Sequence, residues 1–322
     1  MSVYAGVDLG ATSLRAVVAG PDGEVRGRSR RETPRGPTGI DVTEAVLSVL
    51  RAACDEAGVD PSDVRAVGIA SIGPLDLAAG AVVDPANLPD SIDSIPLRGP
   101  VEQLVGGEVR LHNDAVAGVI GERYYSDRTP DDMVYLTISS GIGAGITVDG
   151  HVLTGWDGNA GEVGHYVVDP RGRRTCGCGR DGHWEAYCSG DNIPGYARLL
   201  ADDDPAAAES SDLALDGELT AADVFASAEA GDPFAEHVLD QVAHWNAIGV
   251  TNVVHAFAPL VIHVGGSVAL HNPEQVLDPI RERVSEMVMT NVPEINRTEL
   301  GDEVVVRGAL ASAITGGTGA RG

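Results

Sequence analysis

A pattern that opens at Val3 opens again at Met133, and this repetition constrains the fold more than any other feature of the chain. The first copy, VYAGVDLGATSLRAVVAGPDGEV, reads as an apolar strand, a Gly/Thr turn, a second strand and a PDG turn. The second, MVYLTISSGIGAGITVDGHVL, reads as strand, Gly/Ser/Thr turn, strand and VDG turn. Apolar, β-branched runs divided by tight glycine turns predict β-hairpins. Hydroxyl-rich turns of this kind expose backbone N–H groups, so two hairpins facing one another could cradle phosphate from both sides. A single glycine-rich hairpin is more often only a hairpin. The duplication is what points to phosphate.

The rest of the chain alternates helix and strand patterns, which predicts an α/β fold. Residues 41–57 (DVTEAVLSVLRAACDEA) have helical spacing, and 64–72 (VRAVGIASI) read as a buried strand. Cys54 falls in that helix as a core thiol. The prolines of DPANLPDSIDSIPL predict a loop without regular structure. VRLHNDAVAGVIGERY is a strand that delivers Asn113 and Asp114 to the start of a helix, where an Asx cap is the plain structural reading. ADDDPAAAESSDLALDGE reads as a loop, and the next stretch as two helices broken at Gly231-Asp232-Pro233 and ended by Pro259. LVIHVGGSVA is a strand entering a Gly-Gly turn and a helix. RGALASAIT is a last helix that can return to pack on the first domain.

With 322 residues the chain has length enough for two domains with their own cores. Its net charge is −26, and all 22 basic residues are arginine. Acids are spread along the whole sequence, so the charge is not that of an acidic tail. Such a surface repels itself at low salt and reads as adapted to a salt-rich, halophilic cytoplasm. It argues against nucleic-acid binding, which needs basic patches. Four cysteines, two of them in C-x-C, do not make a secreted disulfide framework. With no signal segment and no run of 18 apolar residues, a cytoplasmic protein without a membrane span is expected.

Residues 161–190, GEVGHYVVDPRGRRTCGCGRDGHWEAYCSG, concentrate the chemistry. His165, Cys176, Cys178 and His183 supply four soft or borderline ligands, a set suited to tetrahedral zinc. Glu162 and Glu185 flank them. DPRGRR has no apolar periodicity, so a metal is one way to order it. The plainer reading is two free thiols and two surface histidines in an Arg/Gly loop. Cys188 is a spare thiol, and either it or His183 could be the fourth ligand.

These residues resemble the signature of the ROK family of sugar kinases and related repressors: GEVGH, then CGCGRDGHWE, then Ser189-Gly190. One position departs, since His183 stands where the family carries a third cysteine. The resemblance extends from DLGATSLR at Asp8 to VGGSVA at Val264. It implies a two-domain actin-like ATPase (ribonuclease H-like) fold with duplicated β-hairpin phosphate motifs. The expected division is a small domain over 1–117, with a C-terminal helix at about 307–322 packing back on it, and a larger domain over 118–306 bearing the zinc loop. Asp8, Gly10 and Thr12 match the first phosphate motif, although Ser13 replaces a frequent lysine. Thr137, Gly141 and Gly143 match the second phosphate motif, and Gly265 and Gly266 the adenosine motif. Asn113-Asp114 match the family's sugar site, which makes Asp114 the expected general base. Asn87, Glu162, His165 and Glu185 match sugar contacts. The implied cofactors are ATP, Mg²⁺ and a structural Zn²⁺, and the implied assembly is a homo-oligomer, dimer or tetramer. The implied activity is ATP-dependent phosphorylation of a hexose at its 6-hydroxyl, with glucose foremost and fructose or N-acetylmannosamine as alternatives. A sugar-sensing regulator without catalysis is the rival from another class. No segment before the first hairpin offers room for a helix-turn-helix, and the Asp8/Asp114 pair is intact, so the kinase is expected.

The acidic surface generates a first prediction. Self-repulsion is strong when the Debye length is about 30 Å, near 0.01 M salt, and weak when it falls to about 3 Å, near 1 M. Thermal unfolding followed against KCl should therefore show a melting temperature that climbs into the molar range. A flat profile would remove the halophile reading.

Overall fold

The computed structural model describes residues 2–85, 88–126 and 130–321. It divides into two compact units: Met1–Asp131 with Gly145–Gly161 and Glu299–Gly322, and Asp132–Ala144 with Glu162–Thr298. The first unit therefore takes in more of the chain than 1–117.

The first unit begins with the expected hairpin, β1 (Val3–Leu9) and β2 (Ser13–Ala19), extended by β3 (Val25–Glu32). Next come α1 (Gly39–Ala57), β4 (Val64–Ser71), β5 (Leu75–Asp76), β6 (Ala81–Val83), β7 (Ser94–Pro96), α2 (Arg98–Val105), β8 (Glu108–Asn113) and α3 (Asp114–Tyr125). One sheet has the order β3-β2-β1-β4-β8, antiparallel across β1–β2–β3 and parallel across β1–β4–β8. β1 is almost wholly buried, as a parallel-paired central strand covered on both faces must be. The segment expected to lack regular structure instead contributes β7, which joins β5 and β6 in a small antiparallel sheet. Proline is tolerated there because Pro96 is the strand's last residue and β7 is an edge.

The second half continues with β9 (Met133–Ile138), β10 (Ile142–Val148), β11 (His151–Val152), α4 (Glu185–Cys188), α5 (Ile193–Asp203), α6 (Pro205–Ala208), α7 (Ala221–Glu229) and α8 (Pro233–Phe257). β12 (Val261–Gly265), α9 (Ser267–His271), α10 (Pro273–Met287), β13 (Glu294–Arg297) and α11 (Val304–Thr315) complete it. Its sheet runs β11-β10-β9-β12-β13, with β12 parallel to both β9 and β13. Numbered within each half, both sheets have the order 3-2-1-4-5. The repeat visible in two hairpins is thus a repeat of whole sheets, the doubled ribonuclease H-like topology of the actin-like ATPase fold. Within ADDDPAAAESSDLALDGE, expected as loop, the first residues finish α5 and PAAA forms α6. Asp204 caps that turn by accepting from the Ala207 N–H at 3.1 Å, with Pro205 at the first helical position. The break before α8 is where expected: the Asp232 carboxylate accepts from the N–H groups of Phe234 and Ala235, and Pro233 comes directly after it. Among the described residues no helix is long and apolar enough to cross a membrane.

Helix α11 returns to the first unit and packs on β1, β4 and α3. Close backbone approach decides this packing. A methyl group at Gly68 of β4 would collide with the Ala309 carbonyl, and one at Gly308 with the Ala117 carbonyl of α3. Gly99 of α2 is the contrast, since a methyl there would meet nothing within 4 Å. Gly308→Ala should therefore destabilise the protein by about 1–3 kcal/mol, the usual result of overpacking. Gly99→Ala should be neutral or stabilise by up to about 1 kcal/mol. Chemical denaturation of the two variants checks the contrast.

Candidate functional site

The described candidate residues sit at or near the ends of regular elements or in turns and loops pinned by their neighbours. Asp8 lies at the buried end of β1, where the register places it directly opposite Arg15 of β2. The guanidinium donates twice to one oxygen, Nε to Oδ2 at 2.9 Å and Nη2 to Oδ2 at 2.5 Å, and Nη1 donates to the Asp302 carbonyl. Burial raises the Asp8 pKa, and Arg15, followed by Arg30, opposes that shift. Arg15 is the residue that the motif alone does not reveal. The signal was present, because two residues straddling a tight hairpin turn face each other across its strands. Gly10 and Thr12 occupy the turn itself. Thr33 holds this turn by donating its hydroxyl to the Gly10 carbonyl at 2.7 Å and its N–H to the Thr12 carbonyl at 3.1 Å.

Asn113 and Asp114 sit at the β8–α3 junction. The Asx cap is real: Asn113 Oδ1 accepts from the Ala115 N–H at 2.8 Å, and Asp114 Oδ1 accepts from the same group at 2.7 Å. Capping fixes the side chain of Asn113, and Asp114 becomes the first residue of the helix. Both remain partly accessible. Asn87 lies outside the described residues.

The second unit gathers the remaining candidates. Thr137 is on β9, Gly141 is in the turn after it, and Gly143 is on β10. Gly265 ends β12 and Gly266 comes next, but their need for glycine comes from the protein itself. A methyl at Gly266, whose φ is 86°, would strike the Ile138 carbonyl, and one at Gly265 would strike Tyr135. Ser267, next in line, shares a 3.0 Å hydrogen bond between hydroxyls with Ser139.

The ligand quartet assembles. Donor atoms of His165, Cys176, Cys178 and His183 all lie within 4.8 Å of one another. His165 Nδ1 is 3.2 Å from His183 Nδ1 and 3.8 Å from Cys176 Sγ, and Cys178 Sγ is 3.3 Å from His183 Nδ1. Zinc bonds of about 2.0–2.3 Å arranged tetrahedrally put ligand atoms about 3.3–3.8 Å apart. The quartet therefore fits a tetrahedral metal in donor type, and three of its separations lie close to that spacing. Burial pushes the Cys176 thiol up to about 12, and the nearby Glu185 adds to the shift. Cys188 belongs elsewhere. It is buried and donates to the Val242 carbonyl of α8, leaving His183 as the fourth member.

Beyond the quartet, His165 Nε2 is 3.6 Å from Glu162 Oε2, so one ring nitrogen faces the ligands and the other a carboxylate. Burial raises the Glu162 pKa; His165 opposes this, and the nearby Glu185 adds to it. Glu185 places one oxygen 3.8 Å from Cys176 Sγ and accepts the Ile142 N–H on the other at 2.9 Å. The loop does not depend on a metal alone for its shape. Tyr187 accepts from the Arg174 N–H and donates to Asp169, and Trp184 Nε1 donates to Asn246 of α8 at 2.8 Å.

A duplicated 3-2-1-4-5 sheet with glycine turns after the first strand of each half defines a member of the actin-like ATPase class. The sequence matches the ROK family over residues 4–315, and the chain belongs to that family. It is 38% identical over 324 residues to a glucokinase of Aeropyrum pernix, covering 97% of both chains. It is 34% identical over 269 residues to an N-acetylmannosamine kinase of Escherichia coli, covering 82% of each. Its structure is similar, with a TM-score of 0.77 and 31% identity, to a ROK family glucokinase from Streptomyces griseus in complex with glucose and AMPPNP, covering 97% of this chain and 99% of that one.

Metal analysis of the purified protein should find about one zinc per chain, the stoichiometry of a single tetrahedral site. Cys178→Ser and His183→Ala should each lose it, and Cys188→Ser should retain it. Loss of metal in Cys188→Ser alone would show that the fourth ligand is misassigned.

Proposed function

We propose that this chain is a sugar kinase that transfers the γ-phosphoryl group of ATP to the 6-hydroxyl of a hexose, with glucose as the first candidate. The observation that carries the reading is the gathering of Glu162, His165 and Glu185 around the Cys/His quartet. Polar groups converging in this way recognise a polyol by its hydroxyls, because a ligand lacking one leaves a buried group unpaired. The glucokinase relatives, matched over nearly the whole chain, favour glucose. The N-acetylmannosamine kinase relative keeps that sugar as the second reading.

In this reading Asn113, Glu162, His165 and Glu185, with Asn87, hold the sugar. Asp114 accepts the proton of the attacking hydroxyl as its oxygen bonds to phosphorus and ADP leaves. The cap bonds on Asn113 and Asp114 orient both groups before substrate arrives. Asp8 and the turn bearing Gly10 and Thr12, with Thr137, Gly141 and Gly143, serve the phosphates, and Gly265 and Gly266 lie beside the nucleoside. Mg²⁺ would neutralise phosphate charge, with Asp8 holding it or its waters. Arg15 makes both its bonds to Asp8 on Oδ2, which leaves Oδ1 for that task. Zinc would fill the Cys/His quartet as a structural ion, out of contact with phosphate.

Asp114→Asn should retain sugar and nucleotide binding while kcat falls by about 10²–10⁴-fold, the ordinary contribution of a general base. Glu162→Gln should chiefly raise KM for the sugar, and Asp8→Asn should weaken the handling of metal–nucleotide. Steady-state kinetics with a panel of hexoses, read by ADP release in concentrated KCl, measures all three. Activity in Asp114→Asn above about a tenth of wild type, where about 10²-fold loss is expected, would assign the base to another residue.

A further inference from the structure

Residues 139–142, the turn between β9 and β10 with the first residue of β10, are enclosed by the loop that carries the Cys/His quartet. Four separate contacts meet there. Glu185 Oε2 accepts the Ile142 N–H at 2.9 Å. The Gly190 N–H donates to the Ser139 carbonyl at 2.7 Å, and the Asp191 N–H donates to the Ser140 carbonyl at 3.4 Å. On the other side the Ile142 carbonyl lies so close to Gly164 of GEVGH that no side chain fits at that position. Within the turn the Ser139 N–H donates to the Gly141 carbonyl at 2.8 Å. Beyond it Ser139 meets Ser267, directly after the Gly265-Gly266 pair.

The same carboxylate faces the quartet with its other oxygen, 3.8 Å from Cys176 Sγ. His183 and Glu185 stand on either side of Trp184, whose ring is pressed onto Gly249 of α8 so tightly that a methyl there would collide with it. Trp184 thus fixes the backbone between His183 of the quartet and Glu185 at the turn. Closely packed segments of this kind transmit strain.

We infer that the Cys/His loop clamps the 139–142 turn in its phosphate-binding shape through the positioning residue Glu185, so that metal occupancy sets nucleotide affinity as well as sugar affinity. The inference rests on the proposed kinase reading for what the turn binds. What holds the turn in shape is independent of that reading.

The test compares zinc-loaded wild type, chelated wild type, chelated wild type with zinc restored, Cys178→Ser, Glu185→Ala and Glu185→Gln. ADP binding is measured calorimetrically without sugar, and hydrogen exchange is followed at the amides of residues 139–142. Chelation and Cys178→Ser should weaken ADP binding by about fivefold or more, the lower end of ordinary coupling between sites. Both should also speed exchange at Ile142. Zinc should reverse both effects in wild type and neither in Cys178→Ser. Glu185→Ala should speed Ile142 exchange with metal still bound, whereas Glu185→Gln, which keeps an acceptor, should preserve protection. Equal ADP affinity and equal Ile142 exchange in loaded and chelated protein would overturn the inference and leave the loop serving sugar alone. If loaded wild type binds no ADP, the kinase reading fails, and Ile142 exchange alone then decides whether the clamp exists.

Discussion

The contact on which the candidate site depends most is the seating of Trp184 against Gly249. The loop has little helix or strand, although turn and bridge hydrogen bonds such as Cys176 N–H to the Arg180 carbonyl and Val168 N–H to the Gly182 carbonyl tie its own segments together. Burying an indole, which removes about 150–250 Å² of surface from water, attaches that loop to the helix behind it. Gly249 lets the ring lie against the axis of α8, and Asn246, one turn earlier on the same face, accepts the indole N–H. The ring points inward, so His183 and Glu185 on either side of it have fixed starting points. Cys188 adds a further attachment to α8 through Val242. The anchor works together with the loop's own turn hydrogen bonds and with Tyr187, which is held by Arg174 and Asp169.

Asp8 poses the opposite problem, a charge where the packing is tight. Desolvation of a carboxylate is costly, and here it raises the pKa even with two arginines nearby. The antiparallel register of β1 and β2 answers with Arg15, held on its far side by the Asp302 carbonyl. Because both donors take Oδ2, the pair leaves its second oxygen unused by the guanidinium. An ion pair engaging both oxygens would neutralise the carboxylate more completely and give it nothing further to bind. A chain whose basic residues are all arginine is well suited to such a fork, since a lysine ammonium cannot offer two fixed donors.

Periodicity and turn chemistry made part of this architecture legible in the sequence. Strands β1, β4, β8, β9 and β12 were legible as apolar runs, and the α7–α8 break was legible from Gly-Asp-Pro, since Asp232 and Pro233 are a cap and a first helical residue. The quartet was legible as ligand types at close spacing, and its fourth member became clear only from packing. Cys188 is the last residue of α4 and faces α8, a direction that local spacing does not reveal. β7 was hidden because proline-rich composition argues against strands in general, while a proline at the end of an edge strand breaks no ladder bond. α6 was hidden by acidic, small-residue composition that also suits a loop. Arg15 was hidden for a different reason. The motif residues lie in the turn, and the pairing that matters lies across the strands that leave it.

The two halves share a sheet order and diverge after the third strand. Beyond β3 the first half passes through a short connection into α1, a capped amphipathic helix that covers the sheet. Beyond β11 the second half instead runs from residue 153 to residue 184 before its first α-helix, α4, and that stretch carries Glu162, His165, Cys176, Cys178 and His183. In a duplicated scaffold the shared part is bound by packing, because each inner strand of the 3-2-1-4-5 order must match its neighbours on both sides. A connection between the third strand and the next helix carries no such obligation and can lengthen at small entropic cost. The harder requirement is order, and Trp184, Tyr187 and the grip on residues 139–142 provide it. Because the grip closes on the glycine turn of its own half, the loop extends the second hairpin, which makes the asymmetry between the halves the structural origin of the Cys/His cluster.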